Sequence, residues 1–490
     1  MPKRKEEPQE IVGAMWKVIS LILMAVCPGD GLFHSLYRNA MISKPFKGDA
    51  GKPLFLSPYI HAGKTKEGKK MSVVSPFPGA GVDVRSYSGY LTVNKSYNSN
   101  LFFWFFPARI QRENAPVVLW LQGGPGGSSM FGLFVEHGPY VIEKNMTVRT
   151  REFPWTATLS MLYIDNPVGT GFSFTESPQG YAISEDDVAQ DLYSAIVQFF
   201  QLFPEYAKND FYATGESYAG KYVPAIAHYI HSLNPVRQFK IHLKGIAIGD
   251  GYFDPESMIG GYATFLHQIG LLDEKQQKFF QKQSNKCIEL IRGQNWIKAF
   301  EILDRLLDGD LTSDISFFQN VTGCTNYYNL LQCKEPKDQG YYGKFLSLPH
   351  VRQAIHVGNR AFSDGAEVEK HLREDMMQTV KPWLTEIMNN DYKVLLYNGQ
   401  LDIIVAATLT ERSLMAMNWK RSLEYTMAQR KIWKIFNSDS EVAGYVREVG
   451  NFCQVIVRGG GHILPYDQPL RTFDMINRFI YERGWDPYNS

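Results

Sequence analysis

The chain has 490 residues, with 51 Lys and Arg against 50 Asp and Glu, so its formal charge is +1. That balance excludes a nucleic-acid protein working through a broad basic surface, and 44% hydrophobic with 21% charged residues is a globular rather than a disordered composition. Aromatic residues reach 14%, which calls for a large core, a bulky-lined pocket or both; the length would fit about three domains of ~150 residues, although large α/β enzymes exceed that unit as one body.

Behind Lys17, Val18–Val26 is a nine-residue apolar run followed by Cys27-Pro28-Gly29-Asp30-Gly31. It is too short to span a bilayer, which takes about 20 residues, and has the size of a signal-peptide core. Residues 1–31 are therefore expected to be a signal peptide. The stretch ahead of it mixes acids with bases, which initiation at Met15 would explain. If Cys27 leaves with the signal, Cys287, Cys324, Cys333 and Cys453 remain. Four cysteines permit three full pairings, and no CxxC pair suggests zinc. Cys324 and Cys333 lie nine residues apart, so a local bridge is expected there, while Cys453 sits in an apolar run as a free core thiol. Sequons at Asn94, Asn145 and Asn320 agree with secretion. No further long apolar segment exists, so the mature chain is not expected to insert stably into a membrane.

Residues 32–80 are rich in Pro, Gly and Lys with little periodicity and read as an extended lead-in or removable propeptide. The catalytic body is expected over 81–252 and 346–490. Leu101–Phe106, Val117–Leu121 and Leu159–Ile164 are short apolar runs, hence buried strands. Ser184 with Asp187 starts a helix whose apolar positions Val188, Leu192, Ile196, Phe199 and Phe203 recur every three to four residues, and Pro204 ends it. Phe211–Thr214 reads as a strand, Tyr218–His231 as a helix and Ile241–Ile248 as a strand. This alternation predicts a mostly parallel sheet with helices on both faces. Residues 253–345 break the rhythm with helical stretches at Asp273–Cys287 and Asn295–Leu307, an insertion expected to cap the sheet edge. Strands resume at Val394–Tyr397 and Gln454–Val457.

Gly215-Glu216-Ser217-Tyr218-Ala219 joins a predicted strand to a predicted helix. This is the setting of a nucleophile elbow, with Ala219 in place of the second glycine of GxSxG. A serine hydroxyl needs a base and an orienting acid. Asp402 and His462 follow the last two predicted strands, in the order Ser, Asp, His of α/β-hydrolases. Three glycines, Gly459–Gly461, are expected to leave space beside the imidazole. The Gly-rich loop Gln122–Ser129 follows the strand Val117–Leu121 and suits an oxyanion hole, one N–H from the loop and one from Tyr218. A phosphate cradle would show GxxxxGK[ST] or GxGxxG, and this loop has neither.

The segments Trp120–Ser129, Gly215–Ala227, Val351–Val357, Tyr397–Val405 and Gly459–Pro469 together resemble the serine carboxypeptidase family, and within it the vitellogenic-like branch. The resemblance implies an α/β-hydrolase fold with a helical cap insertion and release of C-terminal amino acids from peptides with a free C-terminus. It implies Ser217 as nucleophile, His462 as base, Asp402 as orienting acid, and Gly124 and Tyr218 as oxyanion donors. It also implies that Gln122, Gly123, Glu136 and Glu216 hold the substrate's terminal carboxylate, with Gln122 standing for the family's Asn. Gly127 replaces a usual Cys, and Asp250 stands where the family's GNG has Asn, read as a structural change. Two adjacent glutamates cannot easily both ionise, so a shared proton would favour peptide binding at acidic pH.

No metal or organic cofactor and no nucleic-acid partner is implied; a homodimer is left open. The location implied is the secretory pathway, secreted or in the lysosomal or endosomal lumen. The alternatives are an inactive family member serving as a binding or scaffold protein, and an acyltransferase using the same triad. Sequencing of the mature N-terminus checks the processing: a start past the apolar run is expected, and a start at or near residue 1 would refute a cleaved signal.

Overall fold

The computed structural model describes residues 48–77, 84–309 and 315–489, and its main feature is a ten-stranded mixed sheet. The signal-peptide stretch, with Met15, Val18–Val26 and Cys27, lies outside the described residues. In chain order the strands are β1 (Tyr87–Asn94), β2 (Ser99–Phe106), β3 (Val117–Leu121), β4 (Ser160–Ile164), β5 (Phe211–Glu216), β6 (Leu243–Gly249), β7 (Lys393–Gly399), β8 (Lys431–Trp433), β9 (Gly444–Val449) and β10 (Phe452–Val457). Their spatial order is β1-β2-β4-β3-β5-β6-β7-β10-β9-β8. The neighbours from β4 through β10 run parallel, and antiparallel pairs close both flanks. Helices cover both faces, so this is an α/β fold of the hydrolase type.

The central strands read as continuous apolar runs because both of their faces are covered. β2 and β3 are buried along their whole length. Against β2 packs the helix Glu185–Leu202, whose N-cap Ser184 accepts a hydrogen bond from the Asp187 N–H as its sequence predicts. Phe199 meets Phe103, Phe105 and Phe203 with centroids 6.1, 4.8 and 4.9 Å away. Such ring pairs add about 0.5–1.5 kcal/mol each beyond burial.

The lead-in departs from the extended form expected of residues 32–80. Ser57–His61 and Thr65–Met71 are helices, and the chain around them closes the β1 edge. Tyr90 N–H donates to the Leu54 carbonyl, Leu56 N–H donates to the Tyr90 carbonyl, and Ser88 N–H donates to the Ser72 carbonyl. An unpaired edge strand invites pairing with other chains, and this segment covers it. Three strands escaped the sequence reading. β1, β8 and β9 lie at or near the sheet flanks, and β9 alternates buried with partly exposed residues, so none forms an apolar run.

Between β6 and β7 lies the stretch expected to be an insertion. Helices Glu274–Arg292 and Trp296–Leu307 form there, the first opened by a capping box between Asp273 and Gln276. Cys324 and Cys333 form a disulfide, whereas Cys287 and Cys453 are buried free thiols. Residues 327–330 reach the carboxyl ends of the strands and bond to the loops after β7 and β10. No helix among the described residues is long and apolar enough to cross a membrane. Asn145 and Asn320 are exposed and Asn94 is half-buried.

Phe199→Ala should lower stability by about 3–5 kcal/mol through the cavity it leaves. Urea unfolding checks this: the midpoint should fall with an unchanged slope.

Candidate active site

β5 ends in a turn at Ser217, and the helix Ala219–Leu233 begins two residues later. Ser217 takes φ +61°, the left-handed region that a side chain adopts only when its surroundings enforce it. The small residues on either side make the turn sterically feasible. A Cβ on Gly215 would stand 2.7 Å from the Ala219 Cβ and would also strike the Leu121 carbonyl. Ser217 N–H donates to the Gly249 carbonyl at 3.0 Å. Its Oγ is buried and has no hydrogen-bond partner.

Asp402 and His462, distant in sequence, meet at the carboxyl edge of the sheet. His462 Nδ1 lies 2.9 Å from Asp402 Oδ2, with both side chains fully buried. Asp402 Oδ1 accepts from the N–H groups of Ile404 and Val405 at 2.9 and 3.2 Å. With the Nδ1 proton facing Asp402, Nε2 is the basic nitrogen, and Nε2 has no partner. The three glycines do not leave open room beside the ring. A Cβ on Gly461 would strike the Tyr328 carbonyl and stand 2.9 Å from the Asn329 Cβ. The space is filled by the inserted segment: His462 N–H donates to the Tyr328 carbonyl at 2.6 Å, and the Tyr328 ring lies 5.3 Å from the imidazole. Asp467 Oδ2 accepts from Gly461 N–H at 2.7 Å and Asn329 Nδ2 at 2.9 Å, tying the loops together.

The Gly-rich loop lies directly against the elbow. A Cβ on Gly123 would stand 2.6 Å from the Tyr218 nitrogen, 2.7 Å from the Ser217 Cβ and 2.8 Å from the Glu216 carbonyl. The N–H groups of Gly124 and Tyr218 find no backbone carbonyl partner among the described residues, as oxyanion donors require. Asp165 anchors the far end of the loop, accepting from the Ser128 hydroxyl at 2.6 Å and the Ser129 N–H at 3.0 Å. Burial pushes the Asp165 carboxyl up to about 7 even though these bonds oppose the shift.

Gln122, Glu136 and Glu216 converge beside the elbow. Trp120 Nε1 donates to Gln122 Oε1 at 2.9 Å, which turns the amide Nε2 towards Glu216 Oε1 at 2.7 Å. The extra methylene of Gln122 is thus accommodated by an indole N–H that fixes its carbonyl. Glu136 sits on the turn Gly132–Glu136 and is fully buried, not a surface residue. Burial raises its carboxyl to about 7 against the opposing hydrogen bonds of Glu216 and Gln122 and the Arg151 charge. Glu216 is held well above the ordinary carboxylate range, first by burial and then by the charge of Glu136. Arg151 donates to the carbonyls of Phe134, Gly138 and Tyr140, bracing the turn that carries Glu136.

Sequence reasoning missed the braces. Tyr218 donates its hydroxyl to Asp375 Oδ2 at 2.8 Å, and buried Lys221 pairs with the same carboxylate. Asp375, Tyr328 and Asn329 lie outside any motif, whereas Asp467 stands inside Gly459–Pro469. Asp250, Asp402 and His462 form a group whose donor atoms lie within 4.8 Å of one another, close enough to consider a metal. Asp402 Oδ2 and His462 Nδ1 are already spent on each other, so the group reads as the rear of a triad instead.

A family model described as serine carboxypeptidase matches residues 77–482. The probable serine carboxypeptidase CPVL of Mus musculus is 76% identical over 98% of this chain and 100% of its own length. The venom serine carboxypeptidase of Apis mellifera is 48% identical over 89% and 92%, and the vitellogenic carboxypeptidase of Aedes aegypti 44% over 89% and 91%. The crystal structure of a prohormone-processing carboxypeptidase from Saccharomyces cerevisiae matches with a TM-score of 0.76 over 84% of this chain and 96% of its own, at 24% identity, a likeness of fold.

Gly123→Ala should leave the chain folded but wedge the Gly-rich loop off the elbow. Hydrolysis of an ester substrate is the readout, and a loss of about 100-fold or more is expected, the scale of losing one oxyanion donor.

Proposed function

The chain belongs to the serine carboxypeptidase family, and from that premise we propose that it removes C-terminal amino acids from peptides through an acyl-enzyme on Ser217. The observation that carries the reading is the pairing of His462 with Asp402, which leaves His462 Nε2 available; the Ser217 Oγ at the elbow is likewise buried and unpartnered, with no hydrogen bond between the two, beside a pair of protonatable glutamates.

In the proposed reaction Ser217 Oγ attacks the last peptide carbonyl and His462 Nε2 takes the hydroxyl proton. Asp402 holds the Nδ1–H and stabilises the imidazolium. The N–H groups of Gly124 and Tyr218 receive the oxyanion. The imidazolium passes its proton to the leaving amine as the C–N bond breaks. Water, deprotonated by His462, then cleaves the ester and restores Ser217. Gln122, Gly123, Glu136 and Glu216 form the seat of the terminal carboxylate. Gly123 belongs there through its backbone, since a Cβ would close the gap to the elbow.

The glutamate pair sets the pH of binding. With its carboxyl raised to about 7, Glu136 is protonated in acid and can donate to an anionic terminus. As pH rises through that value Glu136 loses its proton, and a carboxylate faces the anionic terminus in place of a donor. The affinity is therefore present at low pH and lost towards neutrality.

The disulfide, the sequons and the apolar leader support a secretory-pathway protein, secreted or in the lysosomal or endosomal lumen, with glycans at Asn94, Asn145 and Asn320. The domain reading is a signal at 1–31, catalytic parts at 81–252 and 346–490, and an insertion at 253–345. Acyl transfer would use the same triad and differ only in what accepts the acyl group, and a non-catalytic binding protein would have no use for the His462–Asp402 pair.

A fluorophosphonate should label the folded protein, and Ser217→Ala should abolish the labelling; an unlabelled native protein would remove the reading. For a blocked dipeptide with a free C-terminus, KM should rise severalfold from pH 4.5 to 7.5. The matching dipeptide amide should show no such trend, and Glu136→Gln should flatten the dipeptide's profile.

A further inference from the structure

Asp250, in the place of the family's Asn, is fully buried behind the proposed triad. It follows β6 with φ +45° and is held by its own N–H on the Tyr397 carbonyl at 2.7 Å. Its Oδ1 accepts from Gly399 N–H at 2.9 Å and from Asn398 Nδ2 at 3.4 Å. Oδ2 has no partner. Asp250, Asp402 and His462 present their polar atoms within 4.8 Å of one another. Oδ1 is used as an acceptor, so a proton on Asp250 belongs on Oδ2.

Two carboxylates, an imidazole and a phenol face this point. Asp402 and His462 come from the loops after β7 and β10, Glu216 from the end of β5, and the Tyr397 phenol from β7. The largest effects on Asp250 are its burial and the charge of Asp402. Two buried carboxylates this close do not both ionise, and one retains a proton. Burial, then the charge of Asp402, places that proton on Asp250.

We infer that Asp250 is a positioning residue for the proposed triad: its protonated carboxyl turns to Asp402 and withdraws part of the charge with which Asp402 holds the His462 imidazolium. A less charged orienting acid lets the imidazole shed its proton at lower pH and so serve as base in an acidic medium. The Asn that the family resemblance places here would be a permanent neutral donor, and Asp250 supplies the same donor for as long as it keeps its proton.

The inference rests on the Ser217 reading, and the test separates the two. The rate of fluorophosphonate labelling reports the Ser217–His462 pair without engaging the carboxylate seat. Asp250→Ala should label about tenfold more slowly than the native protein at pH 5 and within twofold of it at pH 8. Asp250→Asn, which keeps a neutral donor, should track the native protein at both. A loss in Asp250→Ala that is equal at both pH values, or no loss at all, would make Asp250 mere packing and overturn the inference. Asp250→Asn slowed at pH 5 as much as Asp250→Ala would overturn it too. A native protein that is unlabelled at every pH would bring down the Ser217 reading and this inference with it.

Discussion

A serine in the left-handed region between a strand and a helix costs about 1–2 kcal/mol, so its surroundings must over-determine it. At Ser217 they do so from three sides. Behind it, Gly249 accepts its N–H. Within the turn, Gly215 and Ala219 approach too closely for larger side chains. In front, the Gly-rich loop lies so near that Gly123 has no room for a Cβ. The strain and the exposed pair of N–H groups have one cause, because the turn that lifts the Oγ off the strand also leaves the Tyr218 N–H without a helical partner.

The second constraint is electrostatic. Glu136, Glu216 and Asp250 are buried where the strands end, and Asp165 lies behind the Gly-rich loop. The strong cations nearby do not offset this burial: Lys221 pairs with Asp375, and Arg151, held by three backbone carbonyls, lowers the Glu136 value by less than burial raises it. A buried carboxylate without a counter-charge is expensive, and the inexpensive remedy is a proton. The raised values at Glu136 and Asp165, both to about 7, follow directly. These groups bind protons more tightly in the folded than in the unfolded chain. Their contribution to stability is therefore complete in acid and lost as pH rises through about 7. Acid stability and the proposed acid-side substrate binding then share one origin.

What the sequence made legible was whatever a single stretch encodes. A strand buried on both faces announces itself, as at Val117–Leu121, and so does a capped amphipathic helix, as at Glu185–Leu202. The elbow and the two loops carrying Asp402 and His462 were readable because each follows its own strand. The Lys-rich helix Thr65–Met71 was not. It has no apolar stripe, and it is held by close packing of Gly68 against Tyr59 and Leu202. The flank strand β9 was missed for a similar reason, since its polar residues face outward. Tyr328, Asn329 and Asp375 act through contacts made across long sequence separations, for which no local period exists.

Those long-range contacts change how the insertion is to be understood. Cys324 and Cys333 close a short loop whose base is pinned where the N–H groups of Thr325 and Asn326 donate to the Cys333 carbonyl. From this loop the Tyr327 carbonyl accepts the Ile404 N–H, the Tyr328 carbonyl accepts the His462 N–H, and Leu330 N–H donates to the Leu401 carbonyl. One disulfide-closed loop therefore holds both the strand-end turn that carries Asp402 and the glycine run that carries His462. Backbone bonds of this kind fix position more closely than side-chain packing does, because neither partner has rotamers to explore. Gly461 follows from the same arrangement, because a Cβ there would strike the Tyr328 carbonyl. The insertion is thus a structural part of the site, and the pairing of acid with base depends on a segment that composition alone would assign to the periphery.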